Sequence, residues 1–258
     1  MVTTTLAASL GWAIVLLLAL DTATPAVTVA LHDGSAAVAE VSVVDARRHG
    51  ELLSAFVDEA LRKAGAGFGD LTAIAVGIGP GPYTGLRAGV VTGRVLGSAL
   101  AIRTDGICSL DVIAAQAASR DGTGSGGSSP RVDTAGGSGG SSPRVDTAPD
   151  ESDFLVVTDA RRREVYWARY RADGERIDGP LVSRPADLPA GLPVAGETGL
   201  LPPELGSRAL EPRYPSAAVL AKLAVRRLLA GLPPVQAEPL YLRRPDAREP
   251  GRPKRVTP

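Results

Sequence analysis

One pattern occurs twice in these 258 residues and restricts the fold more than any other feature. VLLLAL (15–20) is apolar on both faces, as a strand in the middle of a sheet must be. It runs into the turn DTATPA, an alternating strand AVTVALH (26–32), the hairpin signal Asp33-Gly34 and a third strand AAVAEVSV (36–43). More than a hundred residues later, FLVVTDA (154–160) runs into EVYWARYR (164–171), Asp173-Gly174 and the strand ERIDGPLVS (175–183). Helical periodicity follows the first copy over 46–65, with Leu52, Leu53, Phe56, Val57, Ala60 and Leu61 on one face and Gly65 as the C-cap. A strand at 71–79 and a helix at 84–101 come next. The second copy continues with a strand and turn, LPVAGETG (192–199), and a helix over 215–231 that closes on a glycine. Two halves with the same order of elements predict a duplicated α/β fold of two subdomains, each a mixed sheet with flanking helices, with a cleft between them.

The segment between the copies has a different character. GSGGSSPRVDTA occurs at 124–135 and again at 137–148, and Val132 and Val145 are the sizeable apolar residues of that stretch. Such a segment buries too little to offset its ordering entropy, so it reads as a flexible linker. The expected organisation is an N-terminal extension (1–14), a first subdomain (15–118), a linker (119–153), a second subdomain (154–247) and a basic tail (248–258), with both ends disordered. The first 20 residues carry no charge, and the apolar run Trp12–Leu20 is short of the roughly 20 residues of a membrane span. Net charge is zero, which gives no general polyanion-binding signature. The single cysteine, Cys108, excludes an internal disulfide and cysteine-rich zinc sites. A cytoplasmic location is expected.

Candidate chemistry concentrates in three places. Residues 77–100, GIGPGPYTGLRAGVVTGRVLGSAL, combine a glycine-rich turn with a helix, Thr84 being the expected N-cap. The turn could present backbone N–H groups to an anion. In the helix, Gly85, Gly89, Gly93 and Gly97 recur every fourth residue, and each costs roughly 1 kcal/mol against alanine. Close backbone approach must compensate, either by a helix of the same chain such as 47–64 or by another protein. The other two places are the turns Asp21–Thr24 and Asp159–Arg163, which follow the first strand of each copy; glycine would let a backbone come close to a phosphate there, and the second turn holds Arg161, Arg162 and Arg163 instead. His32 is expected in an exposed turn, and His49 as a helix-start residue that caps or pairs with a neighbour. No Gly-x-Ser-x-Gly motif occurs outside the Gly/Ser linker.

LLLALDTATPAVTVAL, RRHGELLSAFVDEAL, VGIGPGPYTGLRAGVVTGRVLGSAL, TDARRREVYWARY and PLYLRRPDA together resemble the bacterial TsaB (YeaZ) family, over about residues 15–247. The most specific block has the family form GPGSFTGLRIG, from which Pro82-Tyr83 departs. The resemblance implies a duplicated actin-like ATPase (ASKHA, ribonuclease H-like) fold. It also implies a non-catalytic partner of TsaD, which transfers threonylcarbamoyl to adenosine 37 of tRNA (t6A), with TsaC and TsaE completing the system. Pairing would be with TsaD, with TsaE and with a second copy, and tRNA would be met only within the complex. The paired-histidine metal site of TsaD falls on Ser109 and Ile113, so no metal is expected. No cofactor is expected either: ATP acts through TsaE or TsaC, with weak nucleotide binding at the complex. The docking surface implied is His49, Leu52, Leu53 and Phe56 with Gly85, Leu86, Gly89, Val90 and Gly93. Asp21, Thr22 and Asp159 mark a vestigial nucleotide cleft. The alternative is an ATP-dependent phosphotransferase or ATPase on the same fold.

Overall fold

The computed structural model describes residues 15–121, 152–205 and 208–242. The N-terminal extension, most of the linker and the basic tail lie outside the described residues. The described residues form two five-stranded sheets. In the first, β1 (Leu17–Asp21) is central, with β2 (Ala26–His32) and then β3 (Ala37–Val44) antiparallel on one side. β4 (Ala73–Gly77) and then β5 (Arg103–Ile107) lie parallel on the other side. The second sheet repeats this order: β6 (Phe154–Asp159) is central, with β7 (Val165–Tyr170) and β8 (Arg176–Ser183) to one side. β9 (Val194–Gly196) and β10 (Ala209–Leu210) lie to the other. The duplicated mixed-sheet fold expected from the sequence is present.

Among the described residues four α-helices accompany the sheets: α1 (His49–Ala64), α2 (Tyr83–Leu100), α3 (Ser109–Asp121) and α4 (Ala217–Leu229). α1 and α2 cover the outer face of the first sheet, where Val27, Val29, Ile74 and Val76 meet Leu53, Val57, Leu86 and Val90. The inner face is covered by α4, which packs Leu220, Ala221 and Ala224 on Leu17, Ala19, Ala30 and Ala75. α3 instead lies on the second sheet, with Leu110, Ile113 and Ala117 against Phe154, Val156, Ala168 and Tyr170. The helices that end the two copies are therefore exchanged between sheets, and packing cuts across the sequence stretches 15–118 and 154–247. α3 and β5 were not among the elements expected from periodicity. The short RTDGI strand and the Ala-rich helix lack a clear apolar stripe. The outer face of the second sheet has no α-helix among the described residues. Leu155, Val157, Val165 and Trp167 are covered there by Leu188, Leu192, Leu201 and Leu205 from irregular chain. After α4 the chain returns along the edge of β5, where the Gly106 N–H donates to the Val235 carbonyl at 2.9 Å and the Leu240 N–H to the Ile78 carbonyl at 2.8 Å.

Local signals were read well at some ends. Gly65 takes a left-handed conformation (φ 66°) and its N–H bonds back to Leu61 and Arg62, as a C-cap requires. Thr84 is not the cap of α2; Pro82 holds that position, and Thr84 lies inside the first turn with its side chain exposed.

The glycine row of α2 settles a larger question. A Cβ at Gly85 would lie 2.8 Å from the Thr22 carbonyl oxygen, and one at Gly89 2.5 Å from Thr22 Oγ1. Added carbons at Gly93 and Gly97 would overlap Val76 and Thr104. The row therefore faces the chain's own sheet and the β1–β2 turn. A second protein as the partner of this face is corrected to the chain's own sheet and turn; the same-chain alternative holds, with α1 taking part at one end, where His49 lies 3.3 Å from a carbon added at Gly85. Gly93→Ala sets a gain of roughly 1 kcal/mol in helix propensity against overpacking of about 1–3 kcal/mol. Urea unfolding is expected to show a net loss, whereas Gly50→Ala, with nothing within 4 Å of the added carbon, should gain up to about 1 kcal/mol. A Gly93→Ala variant as stable as the parent would contradict this packing.

Candidate functional site

The turn after β1 is where the first sheet meets three helices. Asp21 ends β1 on the side of Leu17 and Ala19, facing the space between the sheets, and is fully buried. Its Oδ1 accepts from the Ala23 N–H at 2.7 Å, closing an Asx turn, and its Oδ2 accepts from the Ser109 hydroxyl at 2.6 Å. Ser109 begins α3 and also takes the Gly79 N–H at 3.2 Å, while its own N–H donates to the Gly79 carbonyl at 2.8 Å. Gly77 must lack a side chain because a Cβ there would overlap the Asp21 carboxylate. Burial pushes the Asp21 carboxyl from 3.8 up to about 6, against the lowering effect of the Ser109 and Ala23 hydrogen bonds and of His49. Both oxygens already have protein donors, which is the arrangement of a turn-former.

Thr22 points the other way. Its hydroxyl donates to the Gly85 carbonyl at 2.7 Å and accepts from the Gly89 N–H at 2.9 Å. Grouping Thr22 with the nucleotide cleft is thereby corrected: its side chain is spent on α2. His49 Nε2 donates to the Thr24 carbonyl at 2.9 Å, so the expectation that His49 pairs with a neighbour holds and the ring ties α1 to the same turn. His32 is not exposed as expected. It is 4% exposed, with Nδ1 accepting from the Gly34 N–H at 3.0 Å, and burial holds it below its usual range.

The second turn has a different construction. Arg161, Arg162 and Arg163 all adopt left-handed backbone, with φ of 61°, 58° and 62°. Each is a conformation that costs a non-glycine residue on the order of 1 kcal/mol. The Asp159 carboxylate organises the turn, accepting from the Arg161 N–H at 2.7 Å and pairing with its guanidinium at 3.1 Å. The Asp159 N–H in turn donates to Glu197 Oε2 at 2.9 Å. Glu197 follows β9, is 6% exposed, and has its carboxyl raised above the ordinary value by burial. Glu197 was not singled out in the sequence, and Ser109 only as a position where a metal-binding histidine is missing. Their signal is positional: each lies at the C-terminal end of a strand in a parallel pair, where such sheets gather functional groups. Bulky arginines crowd the place where a phosphate would need bare backbone. Buried Cys108 has its thiol pushed up to about 12, chiefly by burial, which leaves it poorly suited as a nucleophile. Among the described residues no group of three or more His, Cys, Asp or Glu could hold a metal ion, and Ser109 and Ile113 are fully buried. No helix among those residues is long and apolar enough to cross a membrane.

The outer surface of α1 and α2 offers the other candidate. Leu53, Leu86 and Val90 are at most 1% exposed and belong to the core, and Gly85, Gly89 and Gly93 lie against their own sheet and turn, so six of the nine residues expected to dock are not free to do so. Leu52, Phe56 and His49 remain half-buried at the margin. The exposed row of α2 runs in the opposite phase, with Val91 at 56% and Val95 at 60% exposure beside Arg87, Arg94 and Ala99. An i, i+4 apolar pair away from the glycine row was the signal available. Arg87 Nε donates to the Tyr241 hydroxyl at 2.8 Å, bringing the C-terminal strap to this surface.

A family model described as TsaD, tRNA N6-adenosine threonylcarbamoyltransferase, matches residues 41–132. An uncharacterised protein of Mycobacterium tuberculosis is 43% identical over 239 residues, which cover 90% of this chain and 93% of that one. The tRNA threonylcarbamoyladenosine biosynthesis protein TsaB of Escherichia coli is 29% identical over 161 residues, 62% of this chain and 57% of its own. The structure of YeaZ from Pseudomonas aeruginosa matches with a TM-score of 0.65 at 27% identity, covering 89% of this chain and 100% of that one. The chain belongs to the TsaB (YeaZ) family. With the two sheets of identical order, this makes the architecture a duplicated actin-like fold.

The raised Asp21 carboxyl has a checkable sign. A folded value above the unfolded one stabilises fully below about 3.8, and that contribution is lost as pH rises through about 6. The difference is on the order of 3 kcal/mol. Denaturation midpoints measured from pH 4 to 8 should fall over that window in the parent, and the Asp21→Asn variant should lose this component of the slope. An unchanged slope would refute the burial assigned to Asp21.

Proposed function

We propose that this chain is a non-catalytic subunit that supports a TsaD-type transferase in forming t6A on tRNA, with TsaC supplying the activated threonylcarbamoyl group and TsaE acting on the assembly. The likeness to Escherichia coli TsaB carries the reading, and the exposed apolar pair Val91 and Val95 on α2, with the half-buried Leu52 and Phe56 on α1, gives it a surface. A helix pair anchored to a sheet presents these side chains on a rigid base, as a hot-spot patch needs. The two turns favour support over phosphotransfer: Asp21 has both oxygens engaged, Thr22 serves α2, and three arginines occupy the second turn. ATP is used by the partners, and tRNA meets this chain within the complex.

Reconstitution tests the proposal. TsaC, TsaD and TsaE should form t6A on tRNA when this chain is added and fail without it; full activity in its absence would end the proposal. Val91→Asp and Val95→Asp should abolish pairing with the transferase while shifting stability by no more than about 0.5 kcal/mol, because both side chains are already in water. Sedimentation of the mixed proteins, alongside urea unfolding of each variant, reads both quantities.

A further inference from the structure

We infer that Thr22 is the positioning residue of the α1–α2 docking surface, its hydroxyl fixing where α2 lies along the first sheet. In an α-helix the N–H of Gly89 is directed at the carbonyl of Gly85. Here the Thr22 hydroxyl sits on that rung, donating to Gly85 at 2.7 Å and accepting from Gly89 at 2.9 Å. A side chain from a different element thus enters the hydrogen-bond ladder of the helix, 63 and 67 residues away in sequence.

Two features make this bond decisive for register. First, along its glycine row α2 offers no knobs of its own, so there a directional bond adds to the packing that Leu86 and Val90 make beside it. Second, the turn that carries Thr22 is itself held on both flanks. Asp21 is bonded to Ala23 and to Ser109 of α3, and the Thr24 carbonyl takes the Nε2–H of His49 in α1. The turn therefore indexes α1 and α2 to one another and to the helix that carries the second sheet. Val91 and Val95 lie about half a turn and about one and two-thirds turns beyond Gly89 on the same helix, so a displacement at Gly89 moves them as a body. The Thr22 side chain, read at first as part of a cleft, acts on a partner surface through α2.

The pairing part of the test rests on the transferase reading above; the spectroscopic part does not. Thr22→Ala removes the hydroxyl and lets Gly89 close directly on Gly85, whereas Thr22→Ser keeps the bridge. In the full chain labelled with ¹⁵N, Thr22→Ala is expected to shift the amide of Gly89 and those of Val91 and Val95, and to weaken pairing with the TsaD-type transferase about tenfold. Thr22→Ser should restore both. Amide changes confined to 85–89, pairing unaltered by alanine, or a serine variant that behaves as alanine would each overturn the inference. If the parent chain does not bind the transferase, the proposed function fails, and the shifts at Val91 and Val95 alone decide this one. Native-state hydrogen exchange on the parent needs no variant: Gly89, Val91 and Val95 should exchange as one unit, and independent exchange of Gly89 would count against the role of Thr22.

Discussion

A four-residue turn holding three helices is the constraint on which the rest of the molecule depends. Its chemistry is economical: a carboxylate, a hydroxyl and a backbone carbonyl each reach a different helix from Asp21, Thr22 and Thr24. The cost falls on Asp21, whose complete burial raises its carboxyl to about 6 despite two donors. No cation neutralises it by a salt bridge among the described residues. A buried charge with this little compensation persists in a fold only when its geometry is needed. Here the geometry closes the turn and fastens the start of α3 to the loop after β4.

The glycine row of α2 obeys the same logic at larger scale. Four glycines forfeit about 4 kcal/mol of helix propensity. In return the helix axis comes close enough for Thr22, Val76 and Thr104 to touch its backbone, and the sheet beneath is sealed from water. The side chains that a longer spacing would have placed on the sheet are instead confined to Leu86 and Val90 within the core and to Val91 and Val95 outside.

Much of the fold was legible because its signals are local. Central strands apolar on both faces, Asp-Gly hairpins and the Gly65 cap are decided by a few consecutive residues, and the repeat of that series revealed the duplication. The docking surface was only half legible for the same reason. Spacing by four shows that the glycines share a face, but whether the face meets a sheet, a helix or another protein depends on how separate strands and the turn at Thr22 come together beneath it. The same holds for His32, whose hairpin position suggested water. Alternation places it on the inner side of β2, the face that α4 covers, and α4 is nearly two hundred residues later in the chain. Ser109 and Glu197 acquire meaning only when two strand ends converge, which no short-range pattern records.

The exchange of α3 and α4 has a consequence for how such a chain can arise and be divided. Each half of the sequence supplies the cover for the other half's sheet, so neither is a module in the sense of a unit that can be lent to another protein. A gene broken between the two copies would leave the first sheet bare on its inner face and the second bare on the side that α3 protects. Irregular chain can cover Val157 and Trp167 on the outer face of the second sheet, but nothing within either copy replaces the crossed helices on the inner faces. The two halves are bound to a common evolutionary fate by a contact that neither makes with itself.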